Sequence, residues 1–184
     1  MRRAVASAMI ALMGACGPVA VIGGDVDDAV DPNEPDPWSA VGDAEEEGDR
    51  SPFACKARSG FSEGDRTHLT YLAVATLAEE AGVPCGKNLV TAVAVAAAES
   101  GRYQFAFHVN TGCSTDRGMW QINSYYHPTT SSYDLTLNAK GMATISKHGT
   151  TWSPWWSFKK GKHLPFRPSA CAAVETLCGE SFCD

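Results

Sequence analysis

The sequence predicts an α+β domain, mainly helical, with one small antiparallel β-hairpin. Several stretches space their apolar residues as helices do and end at glycine, and one short stretch alternates with the period of a strand. No internal repeat is visible. With 184 residues, 44% of them hydrophobic, the chain can bury one core but not two once its ends are set aside.

The chain opens on Arg2 and Arg3, followed by an apolar run from Ala4 to Ala15 that is too short to span a bilayer as a helix. Residues 1–15 are therefore expected to be an export signal. Leu12-Met13-Gly14-Ala15-Cys16 resembles the bacterial lipobox, with Met13 where leucine is preferred. That resemblance implies lipidation of Cys16 and attachment to a membrane through a lipid anchor; ordinary cleavage near Ala15 or Ala20, giving a secreted protein, is the alternative. Gly17 follows the cysteine where an aspartate would favour the inner membrane, which leaves an outer-membrane address open.

Residues 16–50 read as an acidic tether. From Gly24 to Arg50 there are 11 acidic residues against one basic, with Pro32, Pro35 and Pro37 and few large apolar side chains. The overall net charge of −6 therefore misrepresents residues 51–184, which carry 12 Lys and Arg against 10 Asp and Glu. A slightly basic domain suits an anionic wall polymer, and nothing in it calls for nucleic acid.

Within residues 51–184, Leu69, Leu72, Ala73, Thr76 and Leu77 form a helical stripe over 65–81, stopped by Gly82. A second helix follows, capped by Asn88; Leu89 to Ala98 is so rich in Ala and Val that it should be buried nearly all round. Glu99 stands at its end, and Ser100-Gly101 breaks it, Gly101 suiting the left-handed position past the last turn. Tyr103, Phe105, Phe107 and Val109 then alternate with polar or small residues as in a strand. Asn110-Thr111-Gly112 offers a turn, and residues 113–124 return as the second strand. A helix over 136–148, stopped by Gly149, a cluster of Trp152, Trp155, Trp156 and Phe158, and a last helix opened by Pro168-Ser169 complete the chain.

With Cys16 set aside, Cys55, Cys85, Cys113, Cys171, Cys178 and Cys183 remain, an even six in an exported protein, so up to three disulfides are expected. Six cysteines allow 15 pairings, and Cys171–Cys178 can be argued against because seven helical residues span about 10 Å. No CxxC pair occurs and the five histidines are scattered, so neither metal nor other cofactor is expected.

A carboxyl at the end of an apolar helix is disfavoured as an anion by desolvation and by the helix C-terminal dipole. Both raise the pKa of Glu99. Cleaving a glycosidic bond needs such a proton donor, because the leaving oxygen must be protonated near neutral pH. A solvated helix end would nonetheless be the ordinary fate of such a residue.

The run Ser114-Thr115-Asp116-Arg117-Gly118-Met119-Trp120-Gln121-Ile122-Asn123-Ser124 tips the balance. It resembles the hairpin of animal-type (c-type) lysozymes, S-T-D-Y-G-x-x-Q-I-N-S, and the step of 17 residues from Glu99 to Asp116 is that family's step between its two active carboxylates. Glu99-Ser100 followed by Gly118-Met119-Trp120-Gln121-Ile122 is also similar to the E-S and G-L-M-Q-I signature of bacterial lytic transglycosylases. Asn138-Ala139 and Trp152-Ser153-Pro154-Trp155 fit a bacterial lysozyme-like group. The resemblance covers about residues 85–160.

It implies a lysozyme-like fold in which Glu99 is the general acid and Asp116 the second carboxylate, stabilising or trapping the sugar cation, a division of labour carried over from the lysozymes. It further implies that Asn110 and Asn123 hydrogen-bond Asp116 and keep it ionised, that Trp152 packs on the acid, that Gln121, Asn123 and Tyr126 contact the sugar strand, and that Ser100 supports the acid. Each has a plainer alternative: Trp152 a core aromatic, Tyr126 a surface tyrosine, Asn110 a turn residue. Arg117 departs from the family's tyrosine, His127 from its usual aromatic and Ala94 from its cysteine, so its disulfide map does not transfer. The expected protein is a monomeric, lipid-tethered muramidase at the periplasmic or outer cell surface, acting on peptidoglycan glycan strands. A lytic transglycosylase and a non-catalytic wall-binding protein are the rivals.

Overall fold

The computed structural model describes residues 55–62, 66 and 68–183. The expected export signal, lipidation at Cys16 and acidic tether lie outside the described residues. Strand β1 (Arg58–Phe61) is followed by helices α1 (Tyr71–Glu80) and α2 (Lys87–Ser100), then by strands β2 (Ala106–Val109), β3 (Thr115–Arg117) and β4 (Ile122–Asn123). Helix α3 (Leu135–Ile145), the single turn α4 (Trp156–Lys159), a 3₁₀ turn over Leu164–Phe166 and helix α5 (Arg167–Cys178) complete it. The expected α+β, mainly helical architecture is what the chain adopts.

Helix α2 is the axis of the core. Every residue from Leu89 to Ala97 is buried, as its composition requires, with α1 and α5 packed on it. Its small Ala and Val side chains let the neighbouring helices approach on all sides. The helix starts differently from expectation: Gly86, at φ +144°, precedes the first turn, and Asn88 lies inside the helix. Its end is as expected, with Gly101 left-handed at φ +63° and donating to Ala97 O at 2.9 Å.

Helix α1 begins later than the expected residue 65 and buries a different face. Residues 68 and 69 are held extended: the Leu69 N–H donates to Arg102 O, and Arg102 Nε donates back to Leu69 O. Thr70 then caps the first turn by accepting from the Ala73 N–H at 3.1 Å. Val74, Ala75 and Ala78 meet the core, whereas Leu72 is exposed, because burial follows docking on α2 and not the largest side chains.

The expected two-stranded hairpin is a four-stranded antiparallel sheet in the order β1-β2-β3-β4. Residues 113–124 do not form one strand but a second hairpin, β3–β4, broken at Gly118 and Gln121, both of positive φ. Tyr103 and Phe105 precede the sheet instead of joining it, Tyr103 making a single antiparallel bridge to His68. The disulfides are Cys55–Cys113, Cys85–Cys178 and Cys171–Cys183. The first ties the approach to β1 to the β2–β3 turn, the second ties the α1–α2 loop to the end of α5, and Cys171 and Cys178 are indeed not bridged to each other.

Candidate active site

Glu99, one residue from the end of α2, faces a cleft of about 300 Å³ whose opposite wall is the sheet. The helix delivers it there because Gly101 turns the chain away immediately beyond it. Across the cleft, the β-sheet register determines what surrounds Asp116. It stands opposite His108 of β2 and opposite Asn123 of β4, so all three share one face of the sheet. Asn123 Nδ2 donates to Asp116 Oδ1 at 2.7 Å and to Ser114 Oγ at 3.0 Å. On the far side of β2, Ser59 Oγ and His108 Nδ1 are 2.9 Å apart, which completes a polar row across the four strands.

Burial pushes the Glu99 carboxyl up from the ordinary carboxylate range. Two groups of Ser157 oppose that rise: its hydroxyl stands beside the carboxyl without a well-formed hydrogen bond, and its backbone N–H donates to Oε1 at 3.2 Å. The negative charge of Asp116 adds to the rise, and Lys162 works against it. Asp116 is also raised overall, although the expected amides do act to lower it. Burial outweighs the help that the Asn110 and Asn123 side chains and the charge of His108 give its ionised form. Asn110 contributes while its amide nitrogen also donates to Ser114 Oγ at 3.2 Å.

The β3–β4 turn is built to hold this wall in place. Gly118 has φ +74°, and a Cβ there would lie 2.6 Å from the Asn138 amide and from Ser132 O. Asn138, buried in α3, accepts from the Trp120 N–H and donates to Arg117 O, clamping both sides of the turn. Gln121 Nε2 donates to Gly118 O and Ala106 O. Trp120 is fully buried, and its indole N–H donates to Ala92 O of α2, locking the hairpin to the helix that carries Glu99.

Residues 70–157, from the α1 cap to the serine beside Glu99, match the family model described as "Lysozyme like domain". This segment is a lysozyme-like domain. No curated protein and no solved structure matches the chain. The family acts on peptidoglycan strands as glycosidases or transglycosylases, work done outside the cytoplasm, and among the described residues no helix is long and apolar enough to cross a membrane.

In this lysozyme-like domain the cleft brings together Glu99, Asp116, Gln121, Asn123 and Tyr126 of the residues named from sequence. Tyr126 is 73% exposed and stacks edge-on against Tyr125, so its ring is free to meet a sugar. Ser100 is not on the cleft: it is fully buried and its hydroxyl donates back to Ala96 O. Nor is Trp152, which lies in the core with its indole N–H on Gly149 O, packed against Trp155 at 5.2 Å. The indoles that line the cleft are Trp155, held by a 2.8 Å bond to Trp120 O, and the exposed Trp156. Of the cluster recognised in the sequence, Trp155 and Trp156 therefore line the cleft, and Trp152 packs against Trp155 in the core. Ser157 and Lys162 were missed, since neither belongs to a motif.

Proposed function

We propose that this lysozyme-like domain is a muramidase, hydrolysing the β-1,4 bond between N-acetylmuramic acid and N-acetylglucosamine in peptidoglycan. The observation that carries the reading is that Glu99 and Asp116 line one cleft from facing elements, the helix end and the sheet. Glu99, its pKa raised chiefly by burial, holds a proton at pH values where an exposed glutamate would have lost it. That proton goes to the glycosidic oxygen as the bond to the muramic C1 breaks. Asp116 meets the positive charge that develops on the sugar, either as an ion partner or by bonding to C1, and water completes the reaction. Asn123 and His108 favour the ionised form of Asp116 that this role requires.

Gln121, Asn123 and Tyr126 supply polar and aromatic contacts to the strand. The domain spans residues 51–184, and the lipobox-like segment fits attachment through a lipid on Cys16, with the acidic tether giving reach to the producer's own wall. Lytic transglycosylation of the same bond is the second reading. It is favoured by the raised pKa of Asp116, since transglycosylation uses one carboxyl and does not need the other ionised.

Mass spectrometry of the soluble fragments separates the two. Reducing-end muropeptides are expected, and 1,6-anhydro-muropeptides as the sole product would overturn hydrolysis. Glu99→Gln should abolish release while pull-down on purified wall persists; release at the wild-type rate would show that the acid is another residue.

A further inference from the structure

The segment that follows the hairpin is rich in cations and feeds uncharged residues into the cleft. From Leu135 to Val174 the chain has six Lys and Arg and no Asp or Glu. This stretch contributes Ile145, Pro154, Trp155 and Trp156 to the lining of the cleft that also holds Glu99 and Asp116. Its cation nearest the site is Lys162, whose Nζ sits 4.5 Å over the ring of Trp156. Trp156 is 53% exposed and lines the cleft. The α4 turn fixes the lysine there, because the Lys162 N–H donates to Ser157 O at 2.8 Å, and Ser157 is the residue that touches Glu99. Packed along an indole, the long side chain loses less freedom on meeting a ligand than a solvated lysine would.

We infer that Lys162, held over Trp156, binds a carboxylate carried on the muramic acid side chain and thereby sets the register of the glycan strand across Glu99 and Asp116. The inference rests on the glycan-cleaving reading of the cleft. In a strand of alternating sugars only every second unit bears the lactyl ether, so one fixed cation on one wall distinguishes the two registers, of which only one presents the muramic C1 to the acid. The carboxylate has two sources: the lactyl group itself where the stem peptide has been removed, or the stem peptide's own acids where it remains.

The test uses the full chain bearing Glu99→Gln, so that binding is read without turnover, and follows tryptophan fluorescence on titration with three tetrasaccharides. One alternates N-acetylglucosamine and muramic acid with free lactyl carboxylates, one is the same with stem peptides, and one is chitotetraose, which has no carboxylate. Carboxylate-bearing ligands are expected to bind about fivefold more tightly than chitotetraose. Adding Lys162→Met, which keeps the apolar contact with Trp156, should erase that preference, and Lys162→Arg should restore it. The preference should also shrink as salt rises. Whichever carboxylated ligand shows it identifies the source. A preference that survives Lys162→Met, or equal binding of all three ligands, overturns the assignment to Lys162 while leaving the glycan reading intact; binding of none overturns both.

Discussion

Replacing Gly118 by alanine tests whether the β3–β4 turn is as constrained as its surroundings imply. At φ +74° a side chain is disfavoured by about 1–2 kcal/mol. The added Cβ would also lie 2.6 Å from Asn138 Cγ, Asn138 Nδ2 and Ser132 O. A backbone oxygen cannot rotate aside, and moving Asn138 strains its bonds to the Trp120 N–H and Arg117 O, each worth about 1 kcal/mol. The sum is about 3–4 kcal/mol. For a domain of this size that lowers Tm by about 10–15 °C. Gly112→Ala is the control, because nothing lies within 4 Å of its Cβ position, and its Tm should stay within about 3 °C of wild type. Thermal melts followed by circular dichroism, with the disulfides oxidised, give both numbers. If Gly118→Ala also melts within about 3 °C of wild type, the turn relaxes freely and the clamp through Asn138 does not exist.

Three further outcomes follow from the site and the cross-links. Removing the positive neighbour of Asp116 with His108→Ala should raise the Asp116 pKa further, so the acid limb of the kcat/KM–pH profile moves to higher pH; an unmoved limb would detach His108 from the site. Glu99→Gln should raise Tm at neutral pH, because a carboxyl whose folded pKa exceeds its unfolded value loses stability as pH rises through that interval. The gain should vanish below the ordinary glutamate pKa, and a gain that persists there would have another origin. Among the disulfides, chain entropy assigns about 4.7 kcal/mol to the 93-residue loop of Cys85–Cys178 and about 2.8 to the 12-residue loop of Cys171–Cys183. Serine pairs should therefore differ by about 2 kcal/mol in urea melts, and equal losses would refute the loop-length account.

What could be read in advance tracks how local the information is. Helix α2, its stop at Gly101 and the presence of Asp116 in a hairpin follow from contiguous residues, so period and turn chemistry reveal them. Strand β1 does not, because Arg58 pairs with Val109 across about fifty intervening residues and four residues carry too weak a period alone. The same holds for the face of α1: Val74 and Ala78 win over Leu72 through docking on α2, which no window of sequence contains. Gly118 and Asn138 sat within quoted motifs, yet their mutual clamp becomes visible only when α3 lies against the hairpin. Composition marks the aromatic cluster around Trp152 without saying which rings line the cleft, because that depends on how Trp155 and Trp156 dock beside it. Lys162 had a signal in principle, the acid-free stretch around it.

Both carboxyls of the cleft are raised, and the causes divide their work even so. Glu99 has a single firm hydrogen bond, a 3.2 Å contact from the Ser157 N–H, and its cation Lys162 is the least of the influences on it. Asp116 has a 2.7 Å amide donor, a second amide beside it and a histidine directly across the strand pair, all favouring the anion. The charge of an ionised Asp116 in turn makes the ionisation of Glu99 harder. With Asp116 ionised and Glu99 protonated, the cleft would hold one anion and one acid, the state that glycoside hydrolysis needs. A ligand carboxylate paired with Lys162 would remove one of the influences that lower the Glu99 pKa. Correct docking of the strand and retention of the catalytic proton would then favour each other.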